Sequence, residues 1–240
     1  MAERFFAIID PGRKRPTNQD QAAAVELRDG RVLLVVADGV GGVPGGEIAS
    51  AAALKAVQRV LAHHDFADPR AALAHAVLEA NRMVRVAALE DERLALMATT
   101  LVVVTVDGPD AWVANAGDSR AYRFRAGALE RLTEDDSWVA EEVRAGRLTE
   151  EAAAQHPRRN VITRAVGSEA HFAVDVFHHP VLPGDTLFLC TDGLYQALPE
   201  AVIASVLAFG APARDTAVRL VELANEAGGP DNIGIALLQA

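Results

Sequence analysis

The stretch AAAVELRDGRVLLVVADGVGG, residues 22–42, holds the pattern from which the fold follows. Two strand-like runs flank Asp29-Gly30, residue types that tolerate positive φ, so the stretch reads as an antiparallel hairpin closed by a two-residue turn. The run VLLVVA, residues 32–37, does not alternate between apolar and polar positions, and an unbroken apolar strand needs cover on both faces. It ends on Asp38, with Gly39, Gly41 and Gly42 just beyond, so a doubly buried strand delivers a carboxylate to the edge of its core.

The pattern repeats outward. TLVVVTV (100–106) and AWVANAG (111–117) flank Asp107-Gly108-Pro109-Asp110, and RAYRFR (120–125) meets ALERL (128–132) across Ala126-Gly127. Helical spacing of apolar residues predicts helices over 47–61 (Ala49, Ala53, Ala56, Val57, Val60), about 69–89 (Leu73, Val77, Ala80, Val84, Ala87) and about 214–226 (Ala217, Leu220, Val221, Ala224). Strands come in hairpin pairs and do not alternate one for one with helices, which argues against a doubly wound parallel sheet. The expected class is α+β, a layered arrangement of stacked sheets with helices outside.

Half of the 240 residues are apolar, and no linker divides the chain, so one domain spanning 1–240 is expected. The balance of 23 Lys+Arg against 33 Asp+Glu, net −10, disfavours nucleic acid and anionic membrane surfaces. No apolar run approaches a membrane span, and MAERFFAIID is too short and too soon acidic for a signal peptide, so a cytoplasmic location is expected. Cys190 is alone, which rules out an internal disulfide.

Four aspartates, Asp38, Asp118, Asp192 and Asp231, each stand where an apolar run meets a glycine-rich or polar turn. If those runs share one core, their carboxylates gather at a single edge, and a buried carboxylate cluster needs cations to be stable. The Cys/His spacing of a zinc site is absent, as is the twelve-residue calcium loop, and oxygen-only ligands favour Mg²⁺ or Mn²⁺. Two such ions about 3.5–4 Å apart can lower the pKa of a shared water and make it a nucleophile at neutral pH. Gly39, beside Asp38, is the natural carbonyl donor. A phosphate-cradling loop is not present, since no Gly-Lys-Ser/Thr follows the glycines. His63, His64, His75, His171, His178 and His179 show no ligand spacing, and Ser119 and Ser137 lack the His/Asp partners of a serine nucleophile. Arg13, Arg15, Arg158, Arg159 and Arg164 cluster along the chain and would suit an anionic substrate group. The charged segment 134–168 is too long for a plain connection in a compact domain and reads as a functional excursion such as a lid.

Eight ordered motifs then carry a family resemblance: RPTNQD (15–20), DGVGGVPGGEIAS (38–50), MATT (97–100), NAGDSRAY (115–122), LTEDDS (132–137), HPRRNVITRAVG (156–167), CTDGL (190–194) and GGPDN (228–232). Together they resemble the bacterial type-2C protein phosphatases, the metal-dependent PPM family of serine/threonine phosphatases. The resemblance implies a sandwich of two antiparallel β-sheets flanked by pairs of α-helices. It further implies a binuclear Mn²⁺ or Mg²⁺ centre held by Asp38, the Gly39 carbonyl, Asp192 and Asp231, with Asp118 toward a third, weaker ion. Arg15 matches the family arginine that grips the substrate phosphate, and residues 133–168 match a flap beside the site. The implied activity is hydrolysis of phosphoserine and phosphothreonine in proteins by direct attack of water, in a monomeric bacterial enzyme whose partners include a serine/threonine kinase. Three positions depart from the pattern. Val40 replaces the histidine that many eukaryotic members carry as a proposed general acid, Gln19 replaces a glutamate of some relatives, and Ala98 replaces a glycine.

Overall fold

The computed structural model describes residues 4–63, 68–171 and 173–240. The first three residues of MAERFFAIID and His64 therefore lie outside the described residues. Ten strands and seven α-helices follow in the order β1 (Phe5–Asp10), β2 (Asp20–Glu26), β3 (Val32–Asp38), α1 (Gly46–His63), α2 (Pro69–Ala88), β4 (Leu101–Asp107), β5 (Asp110–Ala116), β6 (Arg120–Arg125), β7 (Ala128–Arg131), α3 (Trp138–Arg144), α4 (Glu150–Ala154), β8 (Val176–Pro180), β9 (Thr186–Cys190), α5 (Asp192–Tyr195), α6 (Glu200–Ala208), α7 (Ala213–Glu226) and β10 (Ile233–Gln239) among the described residues. One sheet runs β1-β10-β9-β6-β7 and the other β2-β3-β4-β5-β8, with antiparallel pairing throughout.

The unbroken apolar run of β3 is explained by its two neighbours. Leu33, Val35 and Ala37 face α1 and α2, where Ala53, Val57, Leu73 and Val77 meet them. Val32, Leu34 and Val36 face the opposite sheet, where Leu187, Leu189, Ala236 and Leu238 complete the inner core. On the other outer face, Phe188, Ile235 and Leu237 pack against Leu220 and Ala224 of α7 and Ile203 of α6. The result is helix, sheet, sheet, helix, with every central strand buried on both sides. Among the described residues no helix is long and apolar enough to cross a membrane.

The predicted helices appear within two residues of their expected ends. One turn differs. Between β2 and β3 the Leu27 N–H donates to the Arg31 carbonyl (2.7 Å) and the Gly30 N–H to the Leu27 carbonyl (3.0 Å), so the loop has three residues and only Gly30 takes a positive φ, +87°. This is a turn with a glycine bulge, which lets Asp29 keep negative φ and accept from the Arg31 N–H at 3.2 Å. The two-residue turn with both φ values positive occurs at Ala126 (+49°) and Gly127 (+85°).

The segment between β7 and β8 is an ordered excursion. Ser137 and Thr149 cap α3 and α4 through their side-chain oxygens. Its far end is sewn to the core by Thr99 and Val166, which exchange both backbone hydrogen bonds at 2.9 and 2.8 Å.

Candidate metal centre

The topology brings the predicted acids to one end of the sandwich. Asp38 closes β3, and Asp20, its register partner, opens β2. Asp192 lies two residues beyond β9, and Asp231 two residues before β10, the antiparallel neighbour of β9. Asp118 sits in the crossing from β5 in one sheet to β6 in the other. Five carboxylates from two sheets thus surround one cleft.

Their electrostatics show that they crowd. Burial and the neighbouring carboxylates push Asp38 well above the usual carboxylate range. Burial, with Asp192 and Asp135 nearby, pushes Asp118 up to about 8. Burial and the charge of Asp231 push Asp192 up to about 6. Asp20, fully buried at 0 % exposure, rises to about 7, again chiefly through burial. Asp20 Oδ1 and Asp192 Oδ1 are buried without any hydrogen-bond partner. Orphaned carboxylate oxygens in a shared cleft are what a hard divalent cation would satisfy, so the donor set fits Mg²⁺ or Mn²⁺.

The shell around the acids fixes their directions. Thr191 Oγ donates to Asp20 Oδ2 at 2.7 Å and accepts from the Gly234 N–H at 2.8 Å, tying β2 to β10 beneath the cleft. Thr100 Oγ accepts from the Asp38 N–H at 2.9 Å, and Thr99 Oγ donates to the Asp38 carbonyl at 2.8 Å. Gln196 donates to Asp192 Oδ2 at 2.8 Å, and the Tyr195 hydroxyl to the Asp118 carbonyl at 3.0 Å. Asn232 links three segments, accepting from the Gln19 N–H at 2.9 Å and donating to the carbonyls of Pro11 and Thr17 at 3.0 Å.

Flanking bonds from Thr100 N–H to the Asp38 carbonyl and from Val40 N–H to the Ala98 carbonyl leave Gly39 in a non-hydrogen-bonded pair with Thr99. On the other side the Gln19 N–H goes to Asn232, so the Gly39 carbonyl is left out of both ladders. A Cβ on Gly39 would fall 2.3 Å from the backbone of Gly46, and one on Gly193 only 1.9 Å from the Asn232 carbonyl. These glycines are required by close backbone approach.

Arg15 stands at the lip with 48 % of its side chain exposed, and its Nη2 lies 2.6 Å from Asp231 Oδ2. Of the arginines grouped with it along the sequence, two are engaged elsewhere. Arg164 pairs with Asp136 at 2.9 Å, and Arg158 lies 5.0 Å over the Trp138 ring, both in the excursion. His156 also stacks on Trp138, at 4.8 Å. Ser119 hydrogen-bonds Thr100 at 2.7 Å, and Ser137 caps α3. Gln19 donates to Glu47 at 3.2 Å.

Asp20 was absent from the sequence-derived set of site residues although it ends the motif RPTNQD. It precedes an apolar run of weak character, AAAV, and only the register that places it opposite Asp38 reveals it. Among the described residues no three His, Cys, Asp or Glu side chains already enclose a single metal point.

A two-sheet sandwich with crowded, orphaned carboxylates at one end and a guanidinium at their lip defines a metal-dependent phosphohydrolase. The sequence family described as protein phosphatase 2C matches residues 13–224, and the chain belongs to that family. It is similar to the serine/threonine phosphatase stp of Listeria welshimeri, 35% identical over 234 residues that cover 96% of this chain and 93% of that protein. The solved serine/threonine phosphatase of S. agalactiae superposes with a TM-score of 0.91 at 35% identity, covering 98% of each chain. A structure of the catalytic domain of the phosphatase PstP in complex with two manganese ions gives a TM-score of 0.88 at 31% identity, covering 98% of this chain and 97% of that one.

Proposed function

We propose that Asp38, the Gly39 carbonyl, Asp192 and Asp231 hold two Mn²⁺ or Mg²⁺ ions, that Asp118 serves a third, and that Arg15 orients a substrate phosphate. The chain is a metal-dependent protein phosphatase that hydrolyses phosphoserine and phosphothreonine. The observation that carries this reading is the pair of orphaned, buried oxygens on Asp20 and Asp192 within a carboxylate cluster that carries Arg15 at its lip. When bound, the ions supply Lewis acidity toward the phosphoryl oxygens and a water activated at neutral pH.

The protein's own part is orientation. Thr191 holds the Asp20 carboxylate, and Thr99, Thr100 and Asn232 fix the backbone of Asp38 and Gln19, before any ligand arrives, so little reorganisation remains at the moment of reaction. Arg15 carries a planar fork suited to two phosphate oxygens, and its exposure leaves it free to exchange Asp231 for substrate. Val40 has no proton to give, so the leaving group takes its proton from elsewhere.

The full chain 1–240 acts as one phosphatase domain in this reading, with 133–168 as its flap. The enzyme is cytoplasmic and monomeric in this reading. Its phosphoprotein substrates include a serine/threonine kinase, and neither nucleic acid nor membrane is a partner. The test is turnover of phosphothreonine and phosphotyrosine peptides with and without chelator. Activity on phosphothreonine that chelator abolishes and Mn²⁺ restores is the expected result, and undiminished activity in chelator would reject the metal assignment.

A further inference from the structure

We propose that Arg13 and Lys14 form a basic lip that reads an acidic side chain adjacent to the phosphorylated residue of a substrate, an inference that rests on the phosphatase reading above.

The loop carrying them is stitched to the loop carrying Asp231. Gly12 has φ +72°, and a Cβ there would come 2.1 Å from the Asp231 carbonyl oxygen, so the two backbones touch. The Gly12 N–H and Asn225 Nδ2 both donate to Asp10 Oδ1, at 2.9 and 3.0 Å. The Arg13 N–H donates to the Gly229 carbonyl at 2.8 Å, and the Arg13 stem lies against Gly229. Arg15 closes the third link at Asp231. Residues 12–15 therefore keep a set position relative to the cleft.

Arg13 and Lys14 are both exposed, and among the described residues neither side chain makes a hydrogen bond or ion pair. In a chain of net charge −10, two unpaired cations beside the phosphate-orienting arginine are a local reversal of sign. Successive Cα atoms lie about 3.8 Å apart, so Arg13 and Lys14 fall within one to two residues' reach of Arg15. An extended peptide whose phosphate meets Arg15 places its flanking side chains over the same span. Carboxylates there gain attraction without displacing any existing partner, and the effect is screened by salt.

The experiment compares two phosphothreonine peptides that differ only in Asp or Ala beside the phosphothreonine, with p-nitrophenyl phosphate as a third substrate, for the wild type and R13Q/K14Q. Wild type is expected to show the lower KM on the acidic peptide. The double variant should raise that KM about three- to tenfold, consistent with two exposed ion pairs. Its kcat, its turnover of the alanine peptide and its turnover of p-nitrophenyl phosphate should stay within about twofold, and salt should erase the wild-type preference. Equal KM for both peptides in wild type, or an equal loss on all three substrates in the variant, would overturn the lip. Fluorescence anisotropy of the same peptides separates this from the underlying reading. A chain that binds the acidic peptide through Arg13 and Lys14 but hydrolyses none of the esters would retain the lip and overturn the phosphatase.

Discussion

At the scale of single residues, Asp20 and Asp38 show what folding does to a carboxylate. Facing each other across adjacent strands, both are pushed up chiefly by burial, with the charge of Asp20 adding to the rise of Asp38 and those of Asp192 and Asp231 to the rise of Asp20. Replacing Asp38 by Asn removes one of the mutually repelling acids and one proposed ligand together. Asp38→Asn should therefore melt higher than the metal-free wild type while losing at least about 100-fold in Mn²⁺-dependent kcat/KM, with calorimetry showing weaker Mn²⁺ binding. A variant that kept its Mn²⁺ affinity would remove Asp38 from the ligand set. Asp20→Asn should lower activity or metal affinity by about 10- to 100-fold, the range typical of groups that orient ligands, readable in a Mn²⁺ titration. Asp38, Asp118, Asp192 and Asp231 were legible in the sequence because each ends or precedes a recognisable apolar run beside a glycine or polar turn. Asp20 was not, because its importance lies in register, which no local pattern reports.

At the scale of elements, turns and close backbone contacts dominate. Ala126 is the only described residue other than glycine with positive φ, in a tight turn where Asn is the better occupant. Ala126→Asn should stabilise the protein by roughly 0.5–1 kcal/mol in a urea melt, since alanine bears a left-handed penalty of about that size or more. The reverse holds at Gly193, whose Cβ would collide with the Asn232 carbonyl. Gly193→Ala should cost at least about 2 kcal/mol and disturb the start of α5, where Asp192 sits. An unchanged melting midpoint would mean that the backbone yields there. The long helices were readable from their stripes, whereas α6, apolar on most of its surface, presents no single stripe to find. The hairpin at Asp29-Gly30 was located correctly, but its loop is one residue longer than predicted, because a glycine bulge satisfies the strand twist as well as a two-residue turn does.

For the whole molecule, the carboxylate cluster links pH, metal and stability. Asp20, Asp118 and Asp192 hold their protons to about pH 7, 8 and 6 in the folded chain, against about 3.8 before folding. A raised folded pKa means more protons bound in the native state, so this contribution is fully present below about pH 4 and is lost as pH rises through about 6 to 8. The metal-free protein should therefore lose melting temperature across that window, and Mn²⁺ should reverse the loss while releasing protons on binding. A metal-free melting temperature flat from about pH 5 to 8 would contradict the crowding of these acids. The sequence by itself determined the layering, the hairpins, the long helices and four of the five clustered acids, because periodicity, turn chemistry and strand ends are local properties of the chain. Only the tertiary structure decided that Asp20 belongs with them and that residues 12–15 are locked to Asp231. Those outcomes depend on which strands pair and which loops touch, and such contacts join residues up to about two hundred positions apart, beyond the reach of any window of sequence.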